Sequence, residues 1–227
     1  MCGRFNIIDD PMTQLLLEIT GQNIWNIETE LNVAPTQQVP VVRLAEDASW
    51  DVSPMRWWLV PYWSPEPSTK YAMFNAKSET LTKSRAFSEP FKRRRCIVPV
   101  TGYYEWKRER EIKAPYYIEP EEDSGLAFAG LWDRWRRGDQ VIESCTIITA
   151  ASPEGIKWLH HRIPVHLTTD QIESWVDPQT PEAELHELLK PELRTSFRVT
   201  PVSTYVNNAR NKDERCVEPL GDSTTIH

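Results

Sequence analysis

Eighteen prolines against eight glycines in a chain of 227 residues set the first limit on what this sequence can fold into. Each proline locks its own φ near about −65° and removes one backbone donor, so long helices and unbroken central strands are disfavoured. The chain is expected to fold as short elements joined by fixed turns. Ten tryptophans add flat surfaces for packing or stacking. The length supports one large domain or two small ones with an ample core. Hydrophobic content of 40% and charged content of 26% are ordinary for a globular protein. No apolar run approaches a membrane span and no signal peptide opens the chain, so a cytoplasmic, membrane-free protein is expected.

Cys2, Cys96, Cys145 and Cys216 are far apart and form no C-x-x-C pair. Free thiols are therefore expected, with Cys96 and Cys145 buried in strands, and neither a metal site nor another cofactor is implied. The net charge of −7 argues weakly against nucleic acid, but it is unevenly distributed. Positions 77–113 hold eleven Lys/Arg against five Asp/Glu, whereas position 170 to the end holds six against eleven. A basic middle suits a partner that touches one face only. The run Lys92-Arg93-Arg94-Arg95 reads equally well as a solvated charge cluster.

Asp10-Pro11 reads as a helix start, with Leu15, Leu16, Leu17 and Ile19 as its apolar face and Gly21 as its stop. Positions 39–44 and 50–58 read as a hairpin across a turn at 46–49. Ser78 is the expected cap of a helix over 80–88. A strand over 95–100 continues past a bulge at Gly102 to a charged hairpin tip at 107–113. Strands are expected over 115–119, 126–132, 141–150, 163–167 and 197–202. Helices are expected over 153–160 and from Thr169 and Thr180-Pro181. With no repeat and no regular alternation, this predicts a single α+β domain over 1–227, mainly antiparallel, with an acidic tail after about residue 205.

Chemistry concentrates at a few positions. If Met1 is removed, Cys2 presents a free amine two carbons from a thiol, and both titrate near neutrality. Such a 1,2-aminothiol condenses with an aldehyde to an imine and closes through sulfur to a thiazolidine. Gly3 leaves room beside it and Arg4 adds positive charge. Taken alone, a frayed and idle terminus is the commoner outcome. Glu105, between Tyr104 and Trp106, is a carboxyl against aromatic faces, whose pKa should rise. A strand-edge ion pair with Lys107 is the plainer alternative. His160 follows the apolar stretch 156–159 at an expected helix end, where an imidazolium is favoured, and His161 beside it leaves open which ring faces a site. Asn75 before a small residue could orient a backbone or substrate, or simply make a turn. Phosphate-loop, H-E-x-x-H and G-x-S-x-G patterns are absent.

Seven stretches in order carry a family likeness. They are Met1-Cys2-Gly3-Arg4-Phe5, Asn32-Val33-Ala34-Pro35-Thr36, the aromatic run from Arg56-Trp57 to Trp63, and Asn75-Ala76-Lys77-Ser78-Glu79-Thr80. Gly102-Tyr103-Tyr104-Glu105-Trp106-Lys107, Thr149-Ala150-Ala151 and His160-His161-Arg162-Ile163-Pro164 follow, with Pro201-Val202-Ser203 and Val206-Asn207 in the tail. The chain resembles the SOS response-associated peptidase (SRAP) family, which includes abasic-site shield proteins. The resemblance implies a twisted, barrel-like sheet with short peripheral helices and a monomer. It implies covalent capture of abasic sites in single-stranded DNA, including at single/double-strand junctions, by a thiazolidine at Cys2. Asn75 would hold Cys2 and the sugar, Glu105 would move protons, and His160 would assist. Arg4, Lys77, Arg162, Trp106 and Thr149 would contact DNA, and Trp63, with Trp57 nearby, would stack on or wedge against bases. Lys77 replaces the family's usual arginine and loses its bidentate fork, and Trp58 replaces a usual glycine. Two rival readings are an N-terminal-nucleophile thiol peptidase or glutamine amidohydrolase, and a non-catalytic single-strand binding module.

Overall fold

A computed structural model describes residues 2–23, 27–109, 112–122 and 124–227. In chain order its elements are β1 (Arg4–Ile7), α1 (Asp9–Thr20), β2 (Glu30–Val33), β3 (Gln38–Leu44), β4 (Trp50–Trp57) and β5 (Asn75–Lys77). Then come α2 (Ser88–Arg93), β6 (Arg95–Val100), β7 (Gly102–Glu109), β8 (Ile112–Pro120), β9 (Leu126–Arg137) and β10 (Gln140–Ala151). The remainder is α3 (Glu154–Lys157), β11 (Arg162–Pro164), β12 (His166–Leu167), α4 (Thr169–Val176), α5 (Glu182–Leu188), β13 (Phe197–Pro201) and β14 (Thr224–Ile226).

Five strands close on themselves. β3 pairs antiparallel with β4 and β6, β6 with β9, β9 with β10, and β10 returns to β4 in a short parallel pairing. The ring is a small barrel filled by side chains, and closure removes sheet edges. β5 and β11 extend the ladder of β10, and β12 that of β9. A second, wholly antiparallel sheet runs β14-β13-β8-β7-β1-β2. This is the α+β, mainly antiparallel, barrel-like fold that the sequence implies. Phe5 and Trp57 pack with ring centroids 4.7 Å apart, tying the second sheet to the barrel.

The chain crosses between the sheets at Thr101, next to Gly102, where the sequence predicts a bulge. The Thr101 hydroxyl donates to the side-chain carbonyl of Asn6 at 2.8 Å. Gly102 is required at the crossing, because a Cβ there would lie 2.3 Å from the Tyr117 hydroxyl oxygen. Tyr117 cannot easily yield, since its hydroxyl accepts from Asn6 Nδ2 at 2.8 Å. Gly102→Ala is expected to cost about 1–3 kcal/mol by overpacking, read as a lower urea midpoint at unchanged slope.

Local departures have local causes. α1 starts at Asp9, and Asp10-Pro11 fall inside its first turn, because the Thr29 hydroxyl accepts from the Asp9 amide in place of a capping side chain. Gly21 ends the helix in the left-handed region, φ 67°. The helix expected over 80–88 is instead a 3-10 turn, Ser78–Lys83, and a separate α2. Ser84 is extended between them, which lets Leu81 and Phe91 both reach the core. The helix expected over 153–160 is only the one-turn α3. The strand expected over 163–167 breaks at Val165, whose amide donates to Ile148 and whose carbonyl accepts from Ala129. The tip of the hairpin at 107–113 lies partly outside the described residues. The tail beyond 205 rejoins the fold through β14, whose short pattern gave no strand signal. No helix among the described residues is long and apolar enough to cross a membrane.

Candidate active site

β1 lies antiparallel beside β7, with Arg4 opposite Tyr104, which brings the start of the chain alongside Glu105. Cys2 is completely buried and its four-cysteine set is free of disulfides. Asn75, the first residue of β5, donates from Nδ2 to the Cys2 carbonyl at 2.6 Å. Asn75 is positioned in turn by pairing opposite Ile147 of β10. Its Oδ1 is buried with no hydrogen-bond partner among the described residues. Burial, and then the charge of Glu105, push the Cys2 thiol above its ordinary range, so sulfur is held protonated. Met1 lies outside the described residues.

Glu105 is 3% exposed, and burial lifts its pKa to about 7. The His160 ring places Nδ1 3.8 Å from Glu105 Oε1. Burial lowers His160 to about 4, so this ring is neutral at pH 7. The imidazolium expected from a helix end is thereby corrected: α3 stops at Lys157, and desolvation prevails. His160 Nδ1 lies 3.0 Å from the Arg162 amide nitrogen and 3.1 Å from the Arg162 carbonyl oxygen, so the backbone of Arg162 holds the ring in place. His161 is exposed and stacks behind His160 at 4.4 Å, so His160 is the ring that meets Glu105. At neutral pH the pair is a half-protonated carboxyl beside a neutral imidazole, a composition suited to passing protons either way.

A cleft of about 490 Å³ opens over this pair, lined by Arg4, Glu105, Trp106, Arg108, Lys113, His160 and Asn207. Arg4 reaches it, but its guanidinium is already bonded to Asn32 Oδ1 and to the carbonyls of Val206 and Asn207. Trp106 donates from Nε1 to Asn207 Oδ1 at 2.6 Å. The tail thus forms one wall of the site. Asn32 secures it by donating to the carbonyls of Val206, Asn208 and Asn211. The signal in the sequence is its place at the head of the stretch Asn32-Val33-Ala34-Pro35-Thr36, which reads as a loop, whereas Asn32 lies within β2.

Other expected DNA contacts sit elsewhere. Arg162 is buried, its guanidinium bonded to both oxygens of Glu79 and to the Thr149 carbonyl. Thr149 is fully buried and accepts from Arg162. Both side chains are buried and their hydrogen bonds go to protein partners, although Arg162 Nε has no hydrogen-bond partner among the described residues. Arg162→Lys loses the fork to Glu79 and is expected to lower stability by about 1–3 kcal/mol in thermal melts. Trp57 is a core residue, its Nε1 donating to the Phe74 carbonyl, and offers no face to a base. Trp63 is half-buried with Arg85 over its ring at 4.0 Å. Lys77 is exposed at the end of β5. Trp58 is accommodated against Phe74, centroids 5.3 Å apart. In the basic run, Arg95 turns inward and donates to the Trp175 and Asp177 carbonyls at the end of α4. No group of three or more His, Cys, Asp or Glu among the described residues is placed to hold a metal ion.

A buried Cys2, a carboxyl–imidazole pair and a cleft with cationic residues in its lining together form the candidate site. The chain is a member of the SOS response associated peptidase (SRAP) family, whose profile matches residues 1–209. It is 31% identical over 224 residues to the abasic site processing protein YoqW of Bacillus subtilis (strain 168), covering 96% of this chain and 99% of that one. An abasic site processing protein of Saccharomyces cerevisiae is 34% identical over 259 aligned positions, covering 97% of this chain and 68% of that one. A crystal structure of a Bacteroides thetaiotaomicron protein superposes with a TM-score of 0.81 at 25% identity, covering 96% of this chain and 100% of that one.

Proposed function

We propose that the protein captures abasic sites in single-stranded DNA by a covalent bond to Cys2, once Met1 has been removed. The observation that carries this reading is the placement of Cys2: buried, held at its carbonyl by Asn75, and beside a Glu105 that titrates near neutrality. The names of the relatives, abasic site processing proteins, support the same substrate.

The chemistry balances as one condensation. Glu105 as carboxylate takes the proton from the sugar's C1 hydroxyl while the ring oxygen gains one, opening the sugar to its aldehyde. The Cys2 amine adds to the aldehyde carbon, and the carbinolamine leaves water with a proton from Glu105. The thiol then adds to the imine carbon, its proton passing to the imine nitrogen, and the thiazolidine closes. Net, one aldehyde and one aminothiol give one ring and one water. A thiol kept neutral by burial suits this order, because the amine attacks first and sulfur is needed only for closure. His160, which lines the cleft with Nδ1 3.8 Å from Glu105 Oε1, steadies the opened hydroxyl in this scheme.

The test is incubation of Met1-processed protein with single-stranded DNA carrying one abasic site. A heat-stable adduct is expected, of mass equal to protein plus DNA less one water. An adduct that instead retains that water, or no adduct at all, overturns the reading. Glutamine hydrolysis in place of an adduct would favour the amidohydrolase reading.

A further inference from the structure

Trp158 is 42% exposed, a large fraction for an indole. It is not a stray surface residue. Tyr116 meets it edge to face, ring centroids 5.5 Å apart at 84°, and Lys107 Nζ lies 5.4 Å from its ring centroid. Tyr116 is the cross-strand partner of Glu105 in the β7–β8 ribbon, and Lys107 follows Glu105 by two residues. Cross-strand partners and second neighbours share a face of a sheet. Tyr116, Glu105 and Lys107 therefore project together, and Trp158 rests on that face two residues before His160. An indole braced by an aromatic neighbour, left open to solvent beside a cation and two residues before His160, offers the flat face on which proteins stack unpaired bases.

We propose that Trp158 is a stacking station for the nucleobase adjacent to the abasic position, with Lys107 beside it to meet the backbone phosphate. This inference rests on the single-strand reading above and extends it: the protein grips the neighbouring nucleotide through a base face as well as the lesion through Cys2. A stack accepts any base, so the grip is tolerant of sequence and strongest for purines, which offer the larger face.

The experiment uses full-length protein and single-stranded DNA in which an unreactive tetrahydrofuran replaces the abasic sugar and 2-aminopurine occupies each flanking position in turn. Wild type is expected to quench 2-aminopurine at one flank. Trp158→Ala should remove that quenching and weaken binding on the order of 10-fold, and Trp158→Phe should restore most of both. Lys107→Gln should lower the salt dependence of binding by about one counterion. Unchanged quenching and affinity in Trp158→Ala, with wild type binding normally, overturns the stacking station alone. Failure of wild type to bind this DNA overturns it together with the single-strand reading.

Discussion

Cys2→Ala is expected to abolish the heat-stable adduct, at least about 100-fold below wild type, while leaving a fainter adduct that borohydride reduction reveals. Alanine is as small as cysteine at the second position, so the mature chain still begins with an amine. That amine still condenses with the aldehyde. Without sulfur the imine cannot close and returns to aldehyde and amine on addition of water. The contrast separates the two nucleophiles: borohydride traps the imine in Cys2→Ala but cannot reduce the finished thiazolidine ring of wild type. A heat-stable adduct that persists in Cys2→Ala would show that the Cys2 thiol merely packs. A folding defect is distinguishable by melting, because removing one buried thiol costs on the order of 1 kcal/mol.

Glu105→Gln should slow adduct formation by about 10²–10³, the range of a positioned acid–base group. It should also remove a pH trend in stability. The folded pKa of Glu105, about 7, lies above its ordinary value of 4.5 because the site is buried. The folded state therefore binds more protons than the unfolded chain between those values, and stability falls as pH rises through that window. Above the folded value the full penalty is present, up to about 3 kcal/mol at 1.36 kcal/mol per unit. Glutamine carries no such penalty, so Glu105→Gln should melt above wild type at pH 8 and draw level with it near pH 4.5. His160 works in the opposite sense. Its folded pKa, about 4, is below its ordinary 6.5, so it destabilises only as pH falls beneath 6.5. Adduct rates measured across pH 5–9 should lose their inflection near neutrality in Glu105→Gln if this carboxyl governs the step.

Much of the architecture was legible because it is local. The alternation in 39–44 and 50–57, the turn between them and the helix stop at Gly21 depend on neighbours a few residues away. The family likeness likewise rests on short peptides, and it correctly implied a barrel-like α+β fold. What failed was decided at long range. Val165 breaks a strand because two different strands claim its amide and its carbonyl. The tail rejoins a sheet because β13 offers it an edge.

The sequence by itself determined which reactive groups exist: an aminothiol latent at position 2, a carboxyl between aromatics at 105, and an imidazole at 160. Their chemistry is intrinsic to residue type and to chain position. Only the tertiary structure decided how they behave, since desolvation depends on what surrounds a group in space. Burial makes Glu105 titrate near 7 and keeps His160 neutral. Folding turns Arg162 and Thr149 inward because an internal carboxylate and carbonyl are there to receive the guanidinium. It leaves Trp158 part-exposed against Tyr116, the cross-strand partner of Glu105, a placement invisible along the chain.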